Sequence, residues 1–281
     1  MAIIKNPLTV VQQGSAPLAN YGSIVYDNNG VDTTLTLATE ADFLALTYGG
    51  AGAEIGINGV RVNKEKIKEV TVADGVDFLP NNFCYACNYI HTVTLPSSIK
   101  NIGTNVFAYC AITSSLTLTN VVSIGDVFLA SNTSFNQPIA LPNIVSIGNS
   151  FLQGCKSFNS TLTLSNNTNF IGANFLYGCT SFAQSLTVPG GLMKIGSDYN
   201  PKGSFMYNCT SFTGPLVCNG PSDPTSFVTS GTDANRMLAT NDANAVMYTT
   251  GVTLTGTYAQ NWKDTFADRT ATPYRKLILG S

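Results

Sequence analysis

The dipeptide Ile-Gly recurs at Ile102-Gly103, Ile124-Gly125, Ile147-Gly148, Ile171-Gly172 and Ile195-Gly196, in steps of 22, 23, 24 and 24 residues. A phenylalanine follows four or five residues later at Phe107, Phe128, Phe151 and Phe175. In the last copy Phe205 follows after an insertion, 197–204. A cysteine comes next, at Cys110, Cys155, Cys179 and Cys209. Then come a polar pair and a second phenylalanine: Thr133-Ser134-Phe135, Lys156-Ser157-Phe158, Thr180-Ser181-Phe182 and Thr210-Ser211-Phe212. Short alternating runs accompany these motifs: Val70-Thr71-Val72, Val93-Thr94-Leu95, Leu116-Thr117-Leu118, Ile139-Ala140-Leu141, Leu162-Thr163-Leu164, Leu186-Thr187-Val188 and Leu216-Val217-Cys218. Apolar, polar, apolar is the pattern of a strand with one buried face. The first five centres, at 71, 94, 117, 140 and 163, are a constant 23 residues apart.

A unit of about 23 residues cannot bury its apolar face alone, so units must stack. The expected fold is therefore a β-rich repeat solenoid, with non-repeat N- and C-terminal segments. Leu, Ile and Phe at fixed offsets form columns along one continuous core. The glycine after each isoleucine is expected to free the backbone for a tight corner. Pro96, Pro142 and Pro189 stop three of the strands. The cysteines fall in one column, where a small, slightly polar side chain suits an inward turn. The total of seven is odd and no export signal is evident, so packing is expected rather than bridges.

Val121-Val122-Ser123-Ile124-Gly125 and Phe175-Leu176-Tyr177-Gly178-Cys179-Thr180-Ser181-Phe182 resemble BspA-type leucine-rich repeats. The resemblance covers about residues 57 to 219. That family's pattern is a strand ending in Pro, then Val-x-x-Ile-Gly-x-x-Phe, then Cys, then Ser-Phe or Ser-Leu. The third unit departs from it, with Ser131-Asn132 where Cys is expected, and the sixth departs through its insertion. The resemblance implies a leucine-rich-repeat solenoid used for adhesion or protein binding, with no catalytic residue. The chain ends carry a second likeness. Met1-Ala2-Ile3-Ile4-Lys5-Asn6-Pro7-Leu8-Thr9-Val10-Val11 is similar to the start of bacteriophage and prophage structural proteins. Pro273-Tyr274-Arg275-Lys276-Leu277-Ile278 is similar to the ends of some of them.

Three segments are expected: an N-terminal cap or anchor at 1–56, the solenoid at 57–219 and a C-terminal capping or assembly segment at 220–281. The first contains a strand-like run, Thr33 to Leu37, and a short helix after Thr39. Lys64-Glu65-Lys66-Ile67-Lys68-Glu69 reads as a solvated cap surface. Gly220-Pro221-Ser222-Asp223-Pro224 is a turn cluster that marks the second boundary. Beyond it, Asp233 to Asn244 is expected to be helical. Thr253 to Tyr258 and Tyr274 to Leu279 are expected to be strands.

Charge excludes several partners. Charged residues make up 11% of the chain, and between Gly103 and Leu192 only Asp126 and Lys156 are charged. Phosphate neutralisation needs several cations on one face, so nucleic acid is not expected as a partner. Neither is an anionic membrane surface. No apolar run reaches the roughly 18 to 20 residues of a membrane helix. The first residues lack the apolar stretch of a signal peptide, so export by the general route is not expected.

Chemistry is sparse as well. The one histidine, His91, directly precedes a strand and reads as a strand-edge side chain. Cys84-Tyr85-Ala86-Cys87 has redox or half-zinc spacing, but a second pair is missing and the cysteine column explains it. Asp74, Asp77, Asp126 and Asp198 share no register, which argues against paired carboxylates. No catalytic residue, metal or cofactor is expected.

What remains is the outward strand position. Stacking aligns Thr71, Thr94, Thr117, Ala140, Thr163 and Thr187, with strands about 4.8 Å apart. Thr92, Ser115, Pro138, Thr161 and Ser185 run beside them. Threonine is simply a good β-former on an exposed face. The same rows also offer a flat, neutral hydroxyl surface to a glycan or protein. Together with the likeness of the chain ends, these features lead to an expected function: a non-enzymatic bacteriophage virion protein of tail, baseplate or fibre. Its partners would be virion proteins or a host-surface glycan or protein, in a homo-oligomeric assembly released by lysis. The alternative is an adhesin or interaction protein of a bacterial cell surface.

Overall fold

A computed structural model describes residues 18–50, 52–195, 205–220, 222, 252–266 and 277–279. Asp198, Gly196 and the helix expected at Asp233–Asn244 lie outside them. The described chain is a β-solenoid in which each coil contributes three hydrogen-bonded segments.

The first segment is the alternating run. Ile67–Val72 pairs in parallel with Thr92–Thr94, Ile139–Leu141 with Leu162–Leu164, and Leu186–Val188 with Leu216–Cys218. The inward residues of these runs, such as Val70, Val93, Ile139 and Leu186, are almost fully buried. Leu116–Leu118 is the exception: its alternation of burial is intact, but it forms no strand. The Ser114 hydroxyl accepts from the Val93 N–H at 2.9 Å and donates to the Val93 carbonyl at 3.3 Å. It thereby occupies both main-chain groups that a neighbouring strand would use.

The second segment corrects the expectation for Ile-Gly. Phe78–Leu79, Asn101–Ile102, Ser123–Ile124, Ser146–Ile147, Phe170–Ile171 and Lys194–Ile195 form a six-stranded parallel sheet. The isoleucine ends a strand rather than entering a corner. The glycine is required by close approach, not by its φ. A Cβ on Gly148 would lie 2.5 Å from the carbonyl carbon of Gly125, and one on Gly172 would lie 2.5 Å from that of Gly148. Each glycine rests on the backbone of the glycine one coil earlier.

The third segment was not foreseen. In it every second residue is left-handed. One coil has Asn105, Phe107 and Tyr109 at φ 60°, 55° and 58°; the next has Val127, Leu129 and Ser131 at 63°, 56° and 61°. A non-glycine residue there costs about 1–2 kcal/mol. With three in one coil, a single unit could not hold this shape. Stacking compensates: Asn105 N–H donates to Asp126, Phe107 N–H to Phe83 and Tyr109 N–H to Ala130, at 2.8, 3.0 and 2.8 Å.

Two phenylalanine columns fill the core. Phe128, Phe151, Phe175 and Phe205 stack with centroids 6.0, 5.4 and 5.1 Å apart. Phe135, Phe158, Phe182 and Phe212 stack at 6.0, 5.5 and 5.7 Å. Phe107 does not belong to the first column. By backbone conformation it matches Leu129 and Leu152, and it meets Phe83 edge-on at 5.7 Å. Phe107 lies five residues after Ile102, where Phe128, Phe151 and Phe175 lie four after theirs.

Both flanks join the stack. At the N-terminal side Gly22–Asn28 and Val31–Thr36 form an antiparallel hairpin, and the first of these pairs antiparallel with Ile67–Val72. The helix Glu40–Ala45 opens on Thr39 with a capping box closed by Asp42. Both the strand and the helix expected there are present. On the other side Val252–Thr255 pairs in parallel with Leu216–Cys218, and Leu277–Leu279 with Val252–Thr255. The parallel stack therefore continues past residue 219. A helix at Ala259–Phe266, absent from the sequence reading, follows the first of these strands and buries Trp262.

Candidate functional site: the solenoid faces

The strand face carries the predicted rows. Thr71, Thr94, Thr117, Thr163 and Thr187 are exposed, as are Ala140, Ser115, Pro138, Thr161 and Ser185, while Thr92 is half-buried. Thr71 is paired in register with Thr94, Ala140 with Thr163, and Thr187 with Val217. The rows are not one continuous ladder. They are interrupted at Leu116–Leu118, and Leu162–Leu164 is not paired with Leu186–Val188.

Beside this face lies an open groove of about 980 Å³, whose lining includes Asp74, Asp77, Ser97, Lys100, Asn120 and Asn143. The sequence reading missed it, although Ser97, Asn120 and Asn143 recur at the 23-residue period. Its amides already bind backbone: Asn120 Nδ2 donates to the Ser97 carbonyl and Asn143 Nδ2 to that of Thr119, each at 2.8 Å. They act as a side-chain ladder between coils.

The cysteine column has a specific chemical role. Cys110 Sγ donates to the Cys84 carbonyl at 3.1 Å, Cys155 to Leu129 at 3.2 Å, Cys179 to Leu152 at 3.1 Å and Cys209 to Leu176 at 3.0 Å. Every acceptor belongs to a left-handed residue of the preceding coil. Each of these carbonyls already accepts the N–H of the residue three positions on, from Cys87, Asn132, Cys155 and Cys179. The thiol of the next coil adds a second donor to a buried carbonyl within the space of a small side chain. All seven cysteines are buried and unbridged.

Asn132, the departure in the third unit, does the same work. It is fully buried. Its amide donates to the carbonyls of Phe107 at 2.7 Å and Leu129 at 2.9 Å, and accepts from Ile112 N–H at 3.1 Å.

Lys64 overturns the expectation of a solvated charged cluster. It is fully buried, and Nζ donates to the carbonyls of Leu46, Tyr48 and Gly49 at 3.1, 3.0 and 3.3 Å. A fourth carbonyl, that of Tyr85, lies at 3.5 Å. The ammonium thus ties the end of the capping helix to the first coil. Lys68, in the same cluster, pairs with Asp32 and Asp27 on the hairpin.

Cys87 occupies the cysteine column and Cys84 the left-handed position before it. Burial pushes the Cys84 thiol well above its ordinary value. The hydrogen bond from Cys84, with help from Lys64, lowers that of Cys87. His91 is exposed, and its Nδ1 contacts only the neighbouring Thr92 hydroxyl, at 3.0 Å. Asp126 Oδ1 accepts from the Asn149 N–H at 2.7 Å, a coil-to-coil bond rather than a poised carboxylate. Among the described residues no three His, Cys, Asp or Glu side chains are grouped to hold a metal. Among them, too, no helix is long and apolar enough to cross a membrane.

This arrangement of Ile-Gly close contacts and thiol-capped turns coincides with a family pattern. The model of the BspA type leucine-rich repeat region matches residues 61–183 and 127–213, more than half of the chain. The chain belongs to the BspA-type leucine-rich repeat family. Three solved leucine-rich repeat structures are similar to this BspA-type chain. A T. pallidum leucine-rich repeat protein is 18% identical, with TM-score 0.43, covering 55% of this chain and 76% of that one. A Bacteroides ovatus leucine-rich repeat protein is 17% identical, with TM-score 0.45, covering 77% and 55%. A leucine-rich cell surface protein from Faecalibacterium prausnitzii is 15% identical, with TM-score 0.30, covering 73% and 64%. Among curated proteins none matches the chain.

Proposed function

We propose that the chain is a non-enzymatic interaction module of a bacterial cell surface, binding a protein or glycan through its solenoid faces. The observation that carries this reading is the exposed strand face. It presents Thr71, Thr94, Thr117, Thr163 and Thr187 outward on a scaffold whose inward side is closed core. Strand-lined solenoid faces form extended binding surfaces. Membership in the BspA-type family supports the repeat-based role, and one similar structure is named as a cell surface protein. The titratable groups support a binding role over catalysis: His91 and Asp126 make only local or coil-to-coil contacts, and the thiols are buried.

A second reading, a bacteriophage tail, baseplate or fibre component, rests on the likeness of the chain ends to phage structural proteins. Residues 1–17 lie outside the described residues. In either setting a homo-oligomer would repeat the binding face.

Immunogold microscopy with antibody to residues 57–219, on intact source cells and on lysates, separates the two. Gold on cell envelopes supports the surface role. Gold on phage particles with bare envelopes sinks it and favours the virion.

A further inference from the structure

The layer of left-handed turns carries a feature that the strand face lacks. A main-chain ladder crosses it: Tyr109 N–H donates to Ala130, Ser131 to Gln153, Gly154 to Tyr177 and Gly178 to Tyr207, at 2.8, 2.6, 2.7 and 2.8 Å. Aromatic pairs stand at both ends of this ladder. Tyr85 and Tyr109 meet edge to face at 5.7 Å, and Tyr177 and Tyr207 stack at 5.1 Å.

Between the two pairs the ladder positions are Ala130, Ser131, Gln153 and Gly154; Ala130 is buried and the other three are half-buried. Tyr109 is 47% exposed. From Tyr109 to Tyr177 is three coil steps, ~14 Å at the usual strand spacing. No outward residue on this stretch of the ladder is charged.

We propose that this stretch, from Tyr109 to Tyr177, is a binding site for an uncharged oligosaccharide a few sugars long. A pyranose presents an apolar, weakly positive C–H face, which stacks on the negative face of an aromatic ring. Its equatorial hydroxyls then reach the Ser131 hydroxyl and the Gln153 amide. At Ser131 and Gly154 the small side chains let a flat sugar ring approach the backbone between the rings. An anionic ligand would find no cation here. A protein partner would be expected to meet broader exposed apolar surface than two tyrosine pairs offer. The site lies on a different segment of the coil from the threonine rows. It extends the proposed interaction role and does not depend on where the protein resides.

The test is calorimetric titration of the purified full-length chain with neutral gluco-, manno-, xylo- and N-acetylglucosamine oligosaccharides, alongside sulfated ones. The expected result is binding of at least one neutral series. Tyr109→Ala and Tyr177→Ala should each weaken that binding at least tenfold. Tyr48→Ala, at an exposed tyrosine of the N-terminal cap, should leave it unchanged. Circular dichroism checks each variant, and the exposure of Tyr109 makes its truncation the safer one to fold. No binding of any neutral series overturns the proposal, as does full affinity in both tyrosine variants. Loss in Thr117→Val with Thr163→Val, with full affinity in both tyrosine variants, also overturns it, while placing the ligand on the strand face and leaving the interaction role intact. Retention of only sulfated probes, or of a glycoprotein whose binding survives deglycosylation, overturns it too.

Discussion

Cys155 Sγ lies 3.2 Å from the carbonyl oxygen of Leu129, one coil earlier, and Leu129 is held at a φ of 56°. The left-handed turn presents a buried carbonyl that takes the Asn132 amide of its own coil at 2.9 Å and the thiol of the next coil as a second donor. The repeat of this pair adds to the backbone bonds between coils that hold the non-glycine left-handed layer.

Removing the donor should therefore cost more than removing a small apolar group. Cys155→Ala is expected to lower stability by about 0.5–1.5 kcal/mol, the net worth of one hydrogen bond, because the Leu129 carbonyl keeps the Asn132 amide at 2.9 Å. Cys155→Ser keeps a donor and should lose distinctly less. Urea unfolding of both variants checks this. Equal losses would reduce the column to simple volume filling.

The same burial gives an alkaline limit. Burial raises the Cys155 thiol from 9.0 to about 12. In the unfolded chain it ionises near its ordinary value. The folded state then binds the proton more tightly. Its contribution is complete below pH about 9 and is lost as pH rises toward about 12, by about 1.4 kcal/mol per pH unit for each such thiol. Melting curves from pH 8 to 11 should fall more gently in Cys155→Ser than in the parent. A parallel decline would show that the thiol is not involved.

Lys64 should hold the N-terminal cap in place. Lys64→Met keeps the apolar stem but removes the ammonium from the carbonyls of Leu46, Tyr48 and Gly49, of which Leu46 keeps the Cys84 N–H at 3.1 Å. A cost of about 1.5–3 kcal/mol is expected, because bonds to a charged group are the stronger kind. Hydrogen exchange should quicken first around residues 40–63 and spare the coils beyond Gly125. Uniform quickening would mean that the cap and the solenoid unfold as one unit.

Gly148→Ala tests close approach without any change in φ preference. Its Cβ would lie 2.5 Å from both the Gly125 carbonyl carbon and Asp126 Oδ1. Forcing coils apart in packed structure costs about 1–3 kcal/mol or more. At Gly30 an added Cβ meets nothing within 4 Å, and only its φ of 89° opposes the change. Thermal denaturation should rank Gly148→Ala well below Gly30→Ala. The reverse order would show that the coil-to-coil glycine contact is dispensable.

The amino-acid sequence by itself determined the solenoid, its 23-residue period, the columns of Phe and Cys, and the outward row of threonines. Periodicity records which positions face inward, because burial selects residue type coil after coil. Tertiary structure alone decided the rest. The left-handed layer is poorly marked in Asn105-Val106-Phe107-Ala108-Tyr109: Asn105 adopts positive φ readily, but Phe107 and Tyr109 do not, and bonds to the coils on either side stabilise them. Lys64 reads as a solvated charge until four carbonyls from distant positions converge on it. The Leu116–Leu118 run has a strand's alternation, yet one Ser114 hydroxyl removes its partner groups. The tyrosine pairs fall on one segment of the stack, three coils apart, although Tyr109 and Tyr177 are 68 residues apart in sequence. In each case the deciding contact joins residues from different coils, and a contact of that kind leaves no local mark on the chain.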